Sequence, residues 1–207
     1  MLLKFLKDNY EVGEPIFTAD IQIEGLTEVN KRQQVKKLVE AGEIKKFESG
    51  IYYLPKATRL VGGVELSSDL VAKYKYVARR ETQLGYYSGH TFANLIGVST
   101  QVPYKKEIVS NNMAAIVREV MIGSKPYVVR KPAVQVTSDN YKTLQLLDLL
   151  KDLGELADEA PEIVKEQIEL YISRNTISRD EVEKYIDKFP MKTYKNIFEM
   201  RLDHVFA

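Results

Sequence analysis

The sequence predicts an α+β fold: an N-terminal winged helix-turn-helix followed by a mixed α/β C-terminal domain with a helical end. Three observations lead there. Over residues 26–55 a helical pattern stops at Ala41-Gly42, and two short runs rich in β-branched and aromatic residues follow around Glu48-Ser49-Gly50. Proline and glycine punctuation at residues 55–58 and 61–64 closes that module and separates domain 1–58 from domain 59–207. Beyond it, strand-like runs over residues 107–136 give way after Asn140 to helical patterns that continue to the end.

In the first domain, Leu2, Leu3, Phe5 and Leu6 make a short amphipathic helix that ends before Gly13-Glu14-Pro15. Residues 17–21 suffice for a second helix of one or two turns, Gly25 supplies a turn, and the Thr27 hydroxyl caps a third helix. In that third helix Val35, Leu38 and Val39 fall on one face, and Asn30, Gln33, Gln34 and Lys37 on the opposite one. Gly42 takes the left-handed conformation of a helix end. Residues 44–47 and 51–54 then form a hairpin with Gly50 at its turn. Tyr52 and Tyr53 point to opposite faces of their strand, and both are expected to pack.

The second domain opens with a helix capped by Ser67-Ser68 and running through residue 80, carrying Lys73, Tyr74, Lys75 and Tyr76. In residues 85–103, Ser88 caps a helix over 89–95 with Phe92 and Leu95 buried, Gly97 ends it, and residues 99–102 are extended. Residues 108–109, 115–117, 120–122, 127–129 and 133–136 read as strands of a small, mostly antiparallel sheet. Leu144, Leu146, Leu147, Leu149 and Leu150 give a helix with a wide apolar face. Pro161 opens another helix, Ser178 caps the next, and Phe189-Pro190 separates that one from a last helix.

Composition narrows the function classes. No apolar run of the 207 residues approaches the roughly 18 needed to span a bilayer, and charged residues come early in the first ten, so a cytoplasmic protein is expected. The absence of cysteine excludes disulfides, a thiolate nucleophile and cysteine-ligated zinc. Ser88 and His90 lack the G-x-S-x-G frame of a nucleophile elbow, and Glu107, Glu119 and Asp139 are too sparse for a carboxylate metal site. Neither an enzyme nor a cofactor or metal is expected. The net charge of +1 hides a polarity, since residues 28–59 carry eight basic side chains against four acidic, while acids dominate residues 148–187.

Asn and Gln can pair with the adenine edge in the major groove, and Lys with guanine, so Asn30, Gln33, Gln34 and Lys37 are the candidate base readers. Lys31, Arg32, Lys36, Lys45 and Lys46 flank that face or sit on the hairpin and are the candidate phosphate contacts. The partner these residues suit is double-stranded DNA.

The runs NKRQQVKKLVEAGEIKKFESGIYYLP, GYYSGHTFANLIGVSTQVP, EIVSNN, NYKTLQLLDLL and YIDKFPMKTYKNIFEM together span nearly the whole chain. They resemble AbiEi-type antitoxins, in particular their short relatives described by a domain of unknown function. The resemblance implies a bacterial antitoxin of a type IV toxin-antitoxin pair. Its winged helix would bind inverted repeats in the promoter of its own operon, through residues 30–37 and the wing lysines, and its partner would be a nucleotidyltransferase-like toxin. Two other classes stay open: a nuclease targeted by the winged helix, and a protein-interaction module whose acidic C-terminal helices bind a basic partner.

Overall fold

The protein is α+β in a computed structural model that describes residues 1–56 and 64–206. Two units are distinguished, Met1–Val71 and Ala72–Ala207. The expected boundary at residues 58–59, with the punctuation at Ala57, Thr58, Val61, Gly62 and Gly63, lies outside the described residues.

In the first unit, Leu2 and Leu6 stand about one turn apart on α1 (Leu2–Asn9) and bury its inner face. Strand β1 (Ile16–Phe17) follows, then a single 3-10 turn, Thr18–Asp20, where a longer second helix was possible. The shortness has a local cause. The Thr18 N–H donates to Gly50 O at 2.9 Å, fixing residue 18 to the hairpin, and Ile21 is already extended with φ −76° and ψ 105°.

Thr27 caps α2 (Glu28–Glu40), its hydroxyl accepting the Asn30 N–H at 3.3 Å, and Gly42 leaves the helix at φ +73°. Strands β2 (Lys45–Glu48) and β3 (Ile51–Tyr53) form the hairpin, and β1 adds to the far side of β3. Leu2, Leu6, Ile16, Ile21, Val35, Ile44 and Leu54 are the core of this unit.

Helix α3 (Ser68–Ala72) widens into a π turn, Lys73–Val77, and ends there, short of residue 80. It ends because Ala78–Arg79 (β4) pairs with Thr82–Gln83 (β5) in a two-residue hairpin, with Arg80 at φ +52°. The main sheet contains β6 (Gly85–Ser88), β7 (Lys106–Ser110), β8 (Val117–Ile122) and β9 (Lys125–Arg130), in the order β6-β7-β9-β8. Strands β7 and β9 are parallel and the other pairs antiparallel, so β8 is an edge. Gly85 is required in β6, because a Cβ there would meet the carbonyl oxygens of Val109 and Tyr76.

Residues 133–136 are not a strand. The Asn111 amide takes the place of a ladder partner, donating to Val136 O at 2.8 Å while its Oδ1 accepts the Val136 N–H at 2.9 Å. Residues 115–117 and 120–122, read as separate runs, belong largely to the single strand β8.

Helix α4 (Gly89–Leu95) ends as expected, with Gly97 at φ +78°, but it is not capped as expected. The Ser88 hydroxyl accepts from Arg130 Nη2 at 2.9 Å, and the Glu107 carboxylate accepts the His90 N–H at 3.1 Å instead. Leu95 is 63% exposed rather than buried, since Phe92, Ala93 and Val98 fill the core on that side. Residues 99–102 form no strand. Asp158 holds them, accepting from the Ser99 hydroxyl at 3.0 Å and the Thr100 N–H at 2.7 Å.

The helical end comprises α5 (Tyr141–Lys151), α6 (Leu153–Leu156), α7 (Pro161–Asn175), α8 (Arg179–Ile186) and α9 (Met191–Glu199). Ser178 and Glu181 form a reciprocal capping box on α8. Every residue of α5 from Thr143 to Leu150 is buried, and Leu146, Leu149 and Leu150 share one core with Ile168 and Ile172 of α7 and Val182 of α8. Leu202 closes that core from the C-terminal side.

Candidate nucleic-acid interface

Helix α2 sends its side chains in three directions. Val35 points into the core with Leu38 and Val39 partly buried beside it. Val29, Asn30, Gln33 and Lys37 are exposed on the opposite side. Glu28, Arg32, Lys36 and Glu40 face the hairpin across a groove of about 720 Å³, whose other wall includes Lys46, Ser49, Gly50 and Tyr52.

Lys31 is the principal correction. It is only 4% exposed, and its ammonium donates to Thr18 O and Ile21 O at 3.0 Å each and pairs with Glu28 at 2.7 Å. A lysine so engaged contacts no phosphate. It satisfies Ile21 O and adds a second donor to Thr18 O, which also accepts the Ile21 N–H at 3.3 Å, and so fixes α2 to that turn. The signal was available in the sequence: residue 31 precedes Val35 by four and Leu38 by seven, which places it on the apolar stripe.

The two hairpin lysines also part company. In the β2–β3 register Lys46 lies opposite Tyr52, and Lys45 opposite Tyr53. Directly opposed residues share a face, so Lys46 and Tyr52 belong to the groove side and Lys45 and Tyr53 to the other. Tyr53 is 4% exposed, and burial first, then the Glu65 charge, push its phenol above the ordinary value. Lys45 therefore does not share the groove with Arg32 and Lys36. Tyr52 is half-buried and packs against the core of its unit, as expected.

Of the four candidate base readers, Asn30, Gln33 and Lys37 share the outward face, while Gln34 is half-buried at its margin. Val29, 64% exposed, stands on that face too and was not singled out by its residue type, although it precedes Gln33 by four. The acids of α2 are paired: Glu28 with Lys31, and Glu40 with Lys36 at 3.8 Å. Among the described residues, Arg32, Gln33, Lys37 and Lys46 have no side-chain hydrogen bond or ion pair with protein. Their donors are available to a ligand.

Among the described residues no three His, Cys, Asp or Glu side chains gather as a metal site would require, and no helix is long and apolar enough to cross a membrane. The Ser88 hydroxyl accepts from Arg130, and His90 Nδ1 is buried without a hydrogen-bond partner.

Residues 5–179 match a family model described as a family of unknown function, DUF6088. No curated protein matches the chain.

Proposed function

We propose, for a chain that belongs to the DUF6088 family of unknown function, that the first unit is a winged helix-turn-helix binding a specific double-stranded DNA site. The whole chain, on this reading, is the antitoxin of a type IV toxin-antitoxin pair. It represses its own operon and counters a nucleotidyltransferase-like toxin, without catalysis. The observation that carries the DNA half is the outward face of α2, with Val29, Asn30, Gln33 and Lys37 exposed together beside a groove holding the unpartnered Arg32 and Lys46.

The chemistry follows from that geometry. With α2 in the major groove, the amides of Asn30 and Gln33 pair with adenine N6 and N7, Lys37 donates to guanine, and Val29 packs on a thymine methyl. Arg32, Lys36 and Lys46 take phosphates along the groove, adding affinity that falls with salt but no sequence information. The antitoxin half rests on the resemblance of the sequence to AbiEi-type antitoxins. It is supported by a surface suited to protein contact: Met191, Tyr194 and Phe198, 78%, 46% and 78% exposed, lie along one face of α9.

Fluorescence anisotropy with the chain's own upstream DNA and a scrambled duplex, at two salt concentrations, tests the first half. Selective binding that Gln33→Ala reduces by about 1–3 kcal/mol, with weak salt-sensitive binding retained, is the expected result. Equal affinity for both duplexes would overturn it. Co-expression with the product of the adjacent gene tests the second half. Growth rescued by the chain supports the antitoxin role, and a neighbour that is harmless alone removes it.

A further inference from the structure

We propose that the second unit holds a binding pocket for a phosphoryl group, formed where the end of β9, α5 and the turn between α8 and α9 meet. The cavity measures about 130 Å³, room for a tetrahedral oxyanion but not for a nucleoside, and its lining includes Tyr86, Arg130, Lys131, Asp148, Lys151 and Lys188. The site lies outside the unit that carries the DNA reading and stands independently of it.

The pocket is built around a fixed guanidinium. Arg130 Nη2 donates to Ser88 Oγ and to Asp148 Oδ2, at 2.9 Å each, and Ser88 is 2% and Asp148 5% exposed. The second Asp148 oxygen accepts from Lys151 at 2.9 Å. Among the described residues the one carboxylate of the lining thus has both oxygens engaged, against four cations. Three further acids nearby are also committed, Asp152 to Lys151 and Lys192, Asp187 to Lys188, and Glu107, whose charge reaches Arg130, to the His90 N–H. Arg130 Nε and Nη1 have no protein partner among the described residues, and neither does the Lys131 ammonium. With both Nη2 hydrogens committed, and Nε and Nη1 on different sides of the guanidinium, Arg130 offers a phosphoryl group one charge-assisted bond, and Tyr86 and Lys131 supply the further donors.

Tyr86 supplies an independent observation. It is 4% exposed, it lines the cavity, and its hydroxyl has no hydrogen-bond partner in the described protein. Burial first, then the Asp148 charge, hold the phenol well above its ordinary value, so it remains a neutral O–H donor. The polar side-chain atoms sealed off without a partner among the described residues are His90 Nδ1 and Thr193 Oγ1, so the unpaired Tyr86 oxygen opens to the cavity, where it can donate to an oxyanion beside Arg130. Lys131 and Lys188, both exposed, stand at the rim, where they would meet a second charge on the anion or the ester oxygen leading out.

Isothermal titration of the full chain with inorganic phosphate, adenosine 5′-monophosphate and adenosine is the test. Binding of phosphate, of the monophosphate or of both, with none of adenosine, is expected. Similar affinities for the first two mark an end-on phosphate monoester as the ligand, and binding of inorganic phosphate alone marks the free anion. Tyr86→Phe removes a hydroxyl that no protein group uses, and Lys131→Ala removes an exposed ammonium, so both variants should fold. Each should weaken binding about tenfold, the value of one charge-assisted hydrogen bond. Binding of adenosine as strong as that of its monophosphate, unchanged affinity in both variants, or no heat with either phosphate at millimolar concentration would overturn the proposal.

Discussion

Lys31 illustrates how far a residue type can mislead. In a basic segment beside a predicted recognition helix it reads as a phosphate contact, yet its ammonium is spent on Thr18 O, Ile21 O and Glu28. Lys31→Met would keep the volume, take this donor from Ile21 O and leave Thr18 O with the Ile21 N–H, and it is expected to destabilise the first unit by about 1–3 kcal/mol in urea denaturation. Loss of DNA affinity without loss of stability would instead return Lys31 to the phosphate set. The hairpin lysines offer a cleaner contrast. Lys46→Ala should flatten the plot of log affinity against log salt by about 0.9, the increment for one phosphate, while Lys45→Ala should leave that slope unchanged. Strand alternation separates these two lysines and is legible in the sequence, but which of them faces the groove is known only from the pairing with Tyr52 and Tyr53. For Lys31 the helical period was enough, and the charge obscured it.

At the scale of elements, the helices were the legible part. Thr27 and Gly42 bound α2, Pro161 opens α7, Ser178 caps α8 and Phe189-Pro190 separates it from α9, each through local backbone chemistry that residue identity encodes. What escaped was decided by distant partners. Strand β6 exists because Gly85 admits the carbonyls of Val109 and Tyr76, and residues 133–136 fail as a strand because Asn111 claims Val136. The cap of α4 comes from Glu107, 17 positions beyond the His90 N–H it accepts. That cap makes a sharp test. Gly89 sits at φ +54°, and a Cβ there would run into the Glu107 carboxylate. Gly89→Ala should lower stability by about 1–3 kcal/mol, through backbone strain and displacement of the cap. A melting temperature equal to the parent's would mean that Glu107 moves aside freely.

For the molecule as a whole, charge polarity was visible in the sequence, but its use was not. Part of the acidic stretch over residues 148–187 is spent inside the protein: Asp148 serves Arg130 and Lys151, Asp152 serves Lys151 and Lys192, and Asp158 ties down Ser99 and Thr100. The Thr100 N–H, foremost, holds the Asp158 carboxyl below its ordinary 3.8. Burial works to raise Asp152, but its bonds to Lys192 and Lys151 outweigh that and leave it lowered too. A carboxyl with a lowered folded pKa contributes its full stabilisation above the unfolded value, near pH 4, and loses it as pH falls through the folded one. Asp158→Asn should therefore lower the melting temperature at neutral pH, with the gap to the parent closing as the pH falls below about 4. A gap constant with pH would show that this carboxylate's charge contributes nothing.

The open edge of β8 bears on how the protein behaves when concentrated. Val117 and Met121 are 55% and 58% exposed there, and a bare apolar edge invites a second copy to continue the sheet. Two identical edges meeting antiparallel about a two-fold axis can oppose only residues that point to the same side. Arg118 and Glu119 are neighbours and point to opposite sides, so no such register can set one against the other. Centring on Arg118 confronts it with its own copy, centring on Glu119 brings together two carboxylates each already paired with a Lys105 at 2.6 Å, and centring on Val120 leaves both residues facing Met121 and Ile122. One adjacent pair of opposite charges thus denies the strand a good match with itself and guards against stacking into aggregates.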